Sequence, residues 1–276
     1  MNGAIDRYAV FGNPIAHSKS PILHKAFAAE TQQQLIYDSQ CVGVDQFTDV
    51  ANAFFANGGL GLNITVPFKM DAFNYAKTLT PRAKRAGAVN TLFLDHNKNI
   101  IGDNTDGVGL VNDMTHNLMW SLKDKTILIV GAGGAVRGVL EPFIEQEPKS
   151  ITIVNRTLEK AVSLSQEFND VFPIDTCSFS DLENKSFDII INGTSASLTG
   201  DLPPLPNNII LSDAYCYDMM YSKELTPFLK WAKQNGCKKL SDGLGMLVCQ
   251  GAESFFIWRK VKPYTVDVIK HVRKML

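Results

Sequence analysis

The stretch AHSKSP, residues 16–21, places Ser18 and Ser20 one residue apart, directly before the apolar-periodic run ILHKAFAAE. Ser20 suits the N-cap of a helix, because its hydroxyl can accept a hydrogen bond from a free backbone N–H of the first turn. Pro21 suits the first helical position. A helix N-terminus can also bind a carboxylate or a phosphate. Capping accounts for Ser20 but not for Ser18, so a plain helix start and a small-anion site both remain open.

A glycine-rich turn joins a buried apolar run to a helical pattern in ILIVGAGGAVRGVL. In a strand–turn–helix context, such glycines are typical of dinucleotide binding. Gly131 permits the tight turn, and Gly133 and Gly134 let the backbone approach a pyrophosphate at the helix N-terminus. The third position of G-x-G-x-x-G is Val136, and we expect the small Ala135 to relieve the crowding there. A strand–helix turn without a ligand is the alternative.

The end of the next strand indicates which dinucleotide would bind. ITIVNRT ends at Asn155-Arg156-Thr157, where a site for NAD usually carries an acidic residue that binds the ribose 2′-hydroxyl. Arginine instead suits the 2′-phosphate of NADP, because a guanidinium makes paired, charge-assisted hydrogen bonds to phosphate. Lys160 would add a second positive charge. A solvated loop arginine is the alternative, but this topological position favours NADP.

A dehydrogenase needs a proton donor or acceptor next to the site of hydride transfer, and two further residues have the chemistry for this role. Lys69 follows the strand-like run NITVPF, and Asp106 lies in GDNTDGVGL. Ligands of α/β sheets bind at strand ends of this kind. Each residue also has a plain interpretation: Lys69 as one more exposed lysine, and Asp106 as the N-cap of the helix GVGLVNDM.

The composition excludes several classes of protein. With 276 residues, of which 45% are hydrophobic and 20% charged, the chain can build a core and suits two domains. A net charge of -1 without a basic stripe argues against a nucleic-acid partner. The five cysteines form no C-x-x-C and are typical of reduced, mostly buried thiols. We predict a cytoplasmic protein without a metal site or a membrane span, because MNGAIDRYAVFG lacks an export-signal pattern and the apolar runs are short.

The elements that position these residues alternate along the chain. RYAVFG, LIYDSQCV and LGLNITVPF predict strands separated by helices, and AVNTLFLDHNKNIIGDN predicts a hairpin that turns at residues 96–99. KTILIVGAGG, SITIVNR, DIIINGT and IILSDAYC predict strands that are buried on both faces of a parallel sheet. Two helices without an intervening strand end the chain. We predict an α/β protein in which residues 106–240 form a doubly wound domain, while residues 1–105 and 241–276 form the other domain.

Seven segments, in the same order through almost the whole chain, resemble the shikimate dehydrogenase family. They are GNPIAHSKSPILH, GLNITVPFK, AKRAGAVNTL, GDNTDGVGL, GAGGAVRGVL with NRT, INGTS, and DGLGMLVCQGAESFFIW. The resemblance implies an N-terminal substrate domain, a Rossmann domain that binds NADP, and C-terminal helices that return to the first domain. It also implies the reversible reduction of 3-dehydroshikimate to shikimate in aromatic amino-acid biosynthesis, by a monomer or homodimer.

Site residues carried over by this resemblance fall into three groups. Lys69 and Asp106 would be the catalytic couple, and Ser18 and Ser20 would hold the substrate carboxylate. The ring hydroxyls would bind Thr65, Asn90, Asp106 and Gln250, with Tyr221 near the substrate. The cofactor would be lined by Gly131, Ala132, Gly133, Gly134, Ala135, Asn155, Arg156, Thr157 and Lys160, with Met219 and Gly243 beside the nicotinamide. The family often has arginine where Lys160 stands; because lysine lacks the planar guanidinium fork, we expect Arg156 to carry most of the selectivity for NADP.

Two other functions remain open at this point. A quinate/shikimate dehydrogenase would share the fold but accept a broader range of substrates and often NAD. A non-catalytic protein that senses NADPH or a cyclic acid belongs to another class. The presence of Lys69 together with Asp106 disfavours it, because binding alone would not need both residues.

Overall fold

The structure is a computed structural model that describes residues 5–276. The first four residues, which belong to the stretch in which we expect no export signal, lie outside the described residues. The chain forms two compact units. Unit 1 consists of the described residues up to Gly109 together with Leu247–Met275, and unit 2 consists of Leu110–Met246.

Unit 1 is built on a mixed six-stranded sheet. In chain order its first elements are β1 (Asp6–Gly12), α1 (Ser20–Glu30), β2 (Leu35–Cys41), α2 (Phe47–Ala56), β3 (Gly59–Ile64), α3 (Lys69–Tyr75), β4 (Thr78–Leu79), α4 (Pro81–Ala86), β5 (Thr91–Leu94), β6 (Ile100–Asp103) and the first turn of α5 (Asp106–Asn112). The strand order is β2-β1-β3-β5-β6-β4. β1 pairs in parallel with β2 and β3, whereas β5 pairs antiparallel with β3 and β6.

The local chemistry of unit 1 confirms one prediction and adds two elements. The predicted hairpin is confirmed, since β5 and β6 are antiparallel and the Asp95 carboxylate accepts hydrogen bonds from the backbone N–H groups of Asn97 and Asn99 in its turn, both at 2.8 Å. β4 and α4 are absent from our prediction. Thr80 caps α4 by accepting a hydrogen bond from the Ala83 N–H at 3.3 Å, and Gly87 ends the helix in the left-handed region at φ 62°.

Unit 2 is a doubly wound parallel sheet, as predicted. Its elements are β7 (Thr126–Val130), α6 (Gly134–Ile144), β8 (Ser150–Val154), α7 (Leu158–Gln166), β9 (Ile174–Cys177), β10 (Phe187–Asn192), β11 (Ile210–Asp218), α8 (Pro227–Gln234) and β12 (Lys239–Asp242). The strand order β12-β11-β10-β7-β8-β9 is that of a Rossmann fold, and every pair is parallel. β9 and β12 are strands that our prediction omits.

Burial follows the expected pattern in the centre of this sheet. β7 and β8 are buried from their second residue onwards, which confirms the prediction of strands covered on both faces. β11 differs, because its first half is exposed and only its second half is buried. The core on one face of the sheet includes Ile129, Val136, Ile153 and Tyr217.

The two C-terminal helices, α9 (Leu244–Arg259) and α10 (Val266–Arg273), return the chain to unit 1. In α9, Trp258 stacks on Tyr8 of β1 with 4.7 Å between ring centroids, and its Nε1 donates to the Leu92 carbonyl at 3.1 Å. Gly61 leaves room for this indole, because a Cβ there would lie 2.3 Å from the Trp258 Nε1. The predicted fold class, including the return of the C-terminal helices, is therefore confirmed.

All five cysteines are free thiols, and all but Cys41 are buried. Within residues 5–276, every helix is too short or too polar to cross a lipid bilayer.

Candidate active site

Lys69 and Asp106 are in direct contact in unit 1. The Lys69 Nζ lies 2.5 Å from the Asp106 Oδ2, and their side chains are 32% and 16% exposed. Lys69 is the first residue of α3, after a turn in which the Phe68 N–H donates to the Thr65 carbonyl at 3.0 Å. Thr65 is fixed in turn by its N–H, which donates to the Phe11 carbonyl at 2.9 Å. The Lys69 ammonium, after β3, and the Asp106 carboxylate, after β6, thus meet at a partly exposed position.

Asn90 and Gln250 complete this cluster. The Asn90 Nδ2 donates to the Asp106 Oδ1 at 2.8 Å and to the Gln250 Oε1 at 3.3 Å. Asn90 is itself held by Thr105, whose N–H donates to the Asn90 Oδ1 at 2.9 Å. One carboxylate oxygen of Asp106 therefore accepts a hydrogen bond from Lys69, and the other accepts one from Asn90. Thr105 was missed as a site residue, although it lies inside the GDNTDGVGL segment.

Asp106 does not cap α5, contrary to the plain interpretation of its position. The helix begins at Asp106 itself, and the Asp106 N–H donates to the Asn104 Oδ1 at 3.1 Å. Because the Asn104 amide oxygen takes this backbone donor, the Asp106 carboxylate is left for side-chain partners.

Ser18 and Ser20 lie together at the start of α1, but Ser20 is not its N-cap. Lys19 occupies that position without a side-chain cap, and Ser20 is the first helical residue. The Ser20 N–H instead donates to the Ser18 Oγ at 3.3 Å. The expectation of a Ser20 cap was wrong by one residue, because Pro21 is accommodated one position further into the first turn.

A buried polar network runs from Tyr37 to the lysine–aspartate cluster. The Tyr37 hydroxyl donates to the Asn63 Oδ1 at 2.8 Å. The Asn63 Nδ2 donates to the Ser254 Oγ at 2.9 Å, and Ser254 lies 3.3 Å from the Thr105 Oγ1. Burial raises the pKa of Tyr37 well above its ordinary value, so this hydroxyl stays a donor. Sequence reasoning missed the network because no local pattern joins residues so far apart in the chain.

The glycine turn of unit 2 has the geometry of an open phosphate cradle. Gly131 follows β7 in the left-handed region at φ 109°, a conformation that disfavours side chains. Gly133 and Gly134 are exposed, and a Cβ on either would meet no atom within 4 Å. α6 begins at Gly134, so its free N–H groups face this space beside Ala132 and Ala135. The residues fit a dinucleotide pyrophosphate.

Val136 at the third fingerprint position is accommodated by Gly193, not by Ala135 as expected. Ala135 is exposed, whereas Val136 is fully buried. A Cβ on Gly193 would lie 2.4 Å from the Val136 Cγ2. The small residue that close helix–strand packing needs therefore lies in the segment after β10, within the INGTS motif.

The loop after β8 presents an exposed arginine. Arg156, Thr157 and Lys160 are exposed, and Asn155 is half-buried. The Asn155 Nδ2 donates to the Thr157 carbonyl at 2.8 Å, which shapes the loop. Arg156 makes no ion pair within the described part of the chain, so its guanidinium is available to an anionic ligand.

Met219 and Gly243 meet at the carboxyl ends of β11 and β12. A Cβ on Gly243 would lie 2.1 Å from the Met219 carbonyl oxygen, so only glycine fits this approach. The fully buried Asp218 carboxylate fixes the segment by accepting from the Ser197 and Thr226 hydroxyls at 2.7 and 2.6 Å. Burial, and to a lesser degree Asp242, raise the pKa of the half-buried Tyr221. Tyr221 lies in unit 2, apart in the chain from the other predicted substrate residues.

Three family models match the chain. The shikimate dehydrogenase substrate binding domain matches residues 10–92, Shikimate / quinate 5-dehydrogenase matches residues 113–199, and the shikimate 5'-dehydrogenase C-terminal domain matches residues 243–273. Together they span most of the chain and follow the order of the segments in which the sequence resembles this family.

Full-length relatives agree with the family models. The chain is 55% identical over 271 residues to a shikimate dehydrogenase (NADP(+)) of Cellvibrio japonicus, covering 98% of both proteins. The structure matches an Ael1 enzyme from Pseudomonas putida with a TM-score of 0.93 and 45% identity, covering 96% of this chain and 97% of that one. It also matches the Thermus thermophilus shikimate 5-dehydrogenase in complex with NADP(H) and shikimate, with a TM-score of 0.87 and 28% identity over 99% and 100% of the chains. The chain belongs to the shikimate dehydrogenase family.

Proposed function

We propose that this chain catalyses the reversible, NADP-dependent reduction of 3-dehydroshikimate to shikimate, with Lys69 and Asp106 as its acid–base couple. The observation that carries the roles of these residues is the 2.5 Å contact between the Lys69 Nζ and the Asp106 Oδ2. Asn90 donates a hydrogen bond to the second carboxylate oxygen of Asp106, which keeps the carboxylate from rotating. The fixed carboxylate in turn orients the Lys69 ammonium. The couple is partly exposed and is therefore accessible to a small substrate.

In the reductive direction, the charged Lys69 is the useful form. Addition of hydride to the ketone leaves negative charge on its oxygen, and the Lys69 ammonium donates a proton to that oxygen. Asp106 keeps the ammonium oriented and balances its charge. In the oxidative direction, neutral Lys69 accepts the hydroxyl proton of shikimate.

We assign the substrate carboxylate to Ser18 and Ser20, and the ring hydroxyls to Thr65, Asn90, Asp106 and Gln250. Both serine hydroxyls are half-buried at the start of α1, where backbone N–H groups favour an anion. Asn90 and Gln250 hydrogen-bond to each other, so they can act together on neighbouring hydroxyls. Tyr221 is assigned to the substrate by family resemblance.

We assign the NADP pyrophosphate to the turn from Gly131 to Ala135, and the 2′-phosphate to Arg156 with Lys160. Asn155 and Thr157 shape the Arg156 loop, and Met219 and Gly243 are assigned to the nicotinamide. When bound, the reduced cofactor supplies the hydride. The assignment is supported by the open space above Gly133 and Gly134 and by the exposed Arg156.

Arg156→Ala tests the NADP assignment. Removing a guanidinium that binds the 2′-phosphate should raise the KM for NADP by about ten- to a hundredfold, the worth of a charge-assisted hydrogen bond. The KM for NAD should change little, because NAD has no 2′-phosphate. Lys160→Ala is the matched comparison and should have the smaller effect. An equal loss with both cofactors would show that Arg156 only supports the fold.

A quinate/shikimate dehydrogenase remains the second candidate, since the model that matches residues 113–199 names both substrates. Initial rates with shikimate and quinate, each with NADP and NAD, separate this candidate from a strict shikimate dehydrogenase. The rates are followed by the absorbance of the NADPH or NADH that forms. Shikimate with NADP should give the highest kcat/KM. Comparable rates with quinate would establish the broader activity, and no formation of NADPH or NADH with either acid would indicate a non-catalytic binding protein.

We further propose that residues 1–105 and 241–276 bind the substrate and residues 106–240 bind NADP. A cytoplasmic location is supported by the five free thiols, and cell fractionation tests it. The protein is proposed to be a monomer or homodimer, which sedimentation analysis would distinguish.

A further inference from the structure

Arg82 of α4 is joined to two carboxylates of unit 1. Its Nε and Nη2 each donate to one carboxylate oxygen of Asp103 at 2.7 Å, which is the bidentate geometry of a strong charge-assisted pair. The same guanidinium reaches the Glu253 Oε1 on α9 at 3.2 Å. The side chains of Arg82 and Asp103 are only 25% and 5% exposed, so this ion pair is well shielded from solvent.

Both carboxylate oxygens of Asp103 are already engaged in hydrogen bonds. Besides the two bonds from Arg82, it accepts a hydrogen bond from the Thr80 hydroxyl at 2.6 Å and one from the Asn104 N–H at 2.7 Å. Burial opposes ionisation of Asp103, but the hydrogen bonds and charge of Arg82 outweigh it and hold the pKa of this carboxyl below its ordinary value. The carboxylate is thus a charged anchor at the end of β6.

Each segment that Arg82 joins carries a residue of the lysine–aspartate cluster. Asp106 follows Asp103 in the same loop. Gln250 lies about one helical turn before Glu253 on α9. Asp106 and Gln250 both contact the Asn90 Nδ2, and Asn90 follows the helix that carries Arg82. One guanidinium therefore links the supports of three side chains that must converge.

We propose that Arg82 is a positioning residue for the reaction, which fixes the distance between the Asp106 loop and the Gln250 helix. This inference rests on the proposed roles of Lys69 and Asp106. Through Asp103, Arg82 sets the orientation of Lys69 and Asp106. Through Glu253, it sets the position of Gln250 and thereby the affinity for the substrate. A simple fold-stabilising ion pair would not divide its effects in this way.

Arg82→Lys is the first test, because lysine keeps the charge but lacks the planar fork. We expect kcat to fall and the shikimate KM to rise, together by about a hundredfold in kcat/KM, the cost of a small misplacement near the reacting atoms. The KM for NADP should stay unchanged. The control is Lys84→Met, an exposed lysine of the same helix, which should behave as wild type. Full activity of Arg82→Lys would overturn the proposal.

Asp103→Asn and Glu253→Gln separate positioning from stability. Asp103→Asn should mainly lower kcat, because it loosens the Asp106 loop, whereas Glu253→Gln should mainly raise the shikimate KM. Thermal melts by circular dichroism report the folded fraction of each variant. If both variants lost only melting temperature, with kcat and KM of the folded enzyme unchanged, Arg82 would be merely structural.

The wild-type protein is assayed first, with shikimate and NADP and by calorimetric titration of shikimate. A wild type that bound or oxidised no shikimate would contradict the proposed function itself. The role of Arg82 alone would be contradicted if the wild type were active but Asp103→Asn did not mainly lower kcat and Glu253→Gln did not mainly raise the shikimate KM. This outcome can be read even if Arg82→Lys fails to fold.

Discussion

Lys69 is the residue whose role is most directly testable. Lys69→Ala should lower kcat by about 10²–10⁴-fold, the usual contribution of a general acid–base group, while the shikimate KM changes much less. Lys69→Arg should not restore the rate, because a guanidinium does not readily release its proton. Steady-state kinetics with shikimate, together with an NADP titration, measure these effects.

The control for Lys69 is Lys77→Ala, an exposed lysine shortly after the same helix, which should keep normal kinetics. NADP affinity should be unaffected in all these variants, because the proposed cofactor residues lie in unit 2. Near-normal kcat with a loss of shikimate affinity would make Lys69 a binding residue and shift the proton transfer to Asp106 or a bound water.

The two serines differ in what their removal should change. Ser18→Ala should weaken shikimate binding by about 1.5–3 kcal/mol, the worth of one hydrogen bond to a charged group, and lower the melting temperature slightly, because the Ser20 N–H loses its acceptor at the start of α1. Ser20→Ala should weaken binding similarly, and its melting temperature should not show the loss of a helix cap, because Ser20 is not the N-cap. Kinetics and thermal melts of both variants test this. An unchanged shikimate KM in Ser18→Ala would exclude the carboxylate site.

At the scale of elements, the packing of α6 on the parallel sheet depends on Gly193. Gly193→Ala would place its Cβ 2.4 Å from the Val136 Cγ2, and we expect a loss of about 1–3 kcal/mol in the free energy of unfolding from overpacking. NADP affinity should fall with it, because α6 carries the glycine turn. Urea unfolding and NADP titration are the measurements.

A double-mutant cycle identifies the contact responsible. Val136→Ala removes the clashing methyl group, so Gly193→Ala should cost clearly less stability in that background than in the wild type. Equal costs in both backgrounds would mean that Val136 is not what requires glycine at position 193.

For the molecule as a whole, we expect His24 to couple stability to pH. It is fully buried, stacks on Tyr37 at 4.0 Å between ring centroids, and neither ring nitrogen has a hydrogen-bond partner within the described residues. Burial lowers the pKa of His24 to about 3. The unfolded chain titrates near its ordinary value of about 6.5, so below that pH it binds a proton that the folded protein does not.

Stability should therefore fall as the pH drops from about 6.5 towards about 3, by up to about 1.4 kcal/mol per pH unit from this group. Urea unfolding between these limits should show a shallower pH dependence in His24→Phe, which keeps the stacked aromatic ring but cannot titrate. His17→Phe, at an exposed position, is the control and should keep the wild-type slope. Identical slopes in wild type and His24→Phe would refute the coupling.

The sequence by itself determined the features that depend on neighbouring residues. The glycine turn before α6, Arg156 after β8 and the hairpin around Asp95 follow from local strand, turn and helix patterns, and all three have the expected form. The apolar runs likewise predicted the parallel sheet of unit 2. Local patterns set element boundaries less sharply, because several residues near a helix start can fill the capping position, and the predicted Ser20 cap is wrong for this reason.

Only the tertiary structure decided which distant side chains meet. Asn63 and Ser254 are separated by 191 positions, yet their side chains lie 2.9 Å apart. The fit of Val136 against Gly193 and the link from Arg82 to Glu253 are likewise invisible to a local pattern. Such contacts depend on strand order and on where α9 rejoins unit 1, because a hydrogen bond or a close packing contact is set by distance in space and not by spacing along the chain.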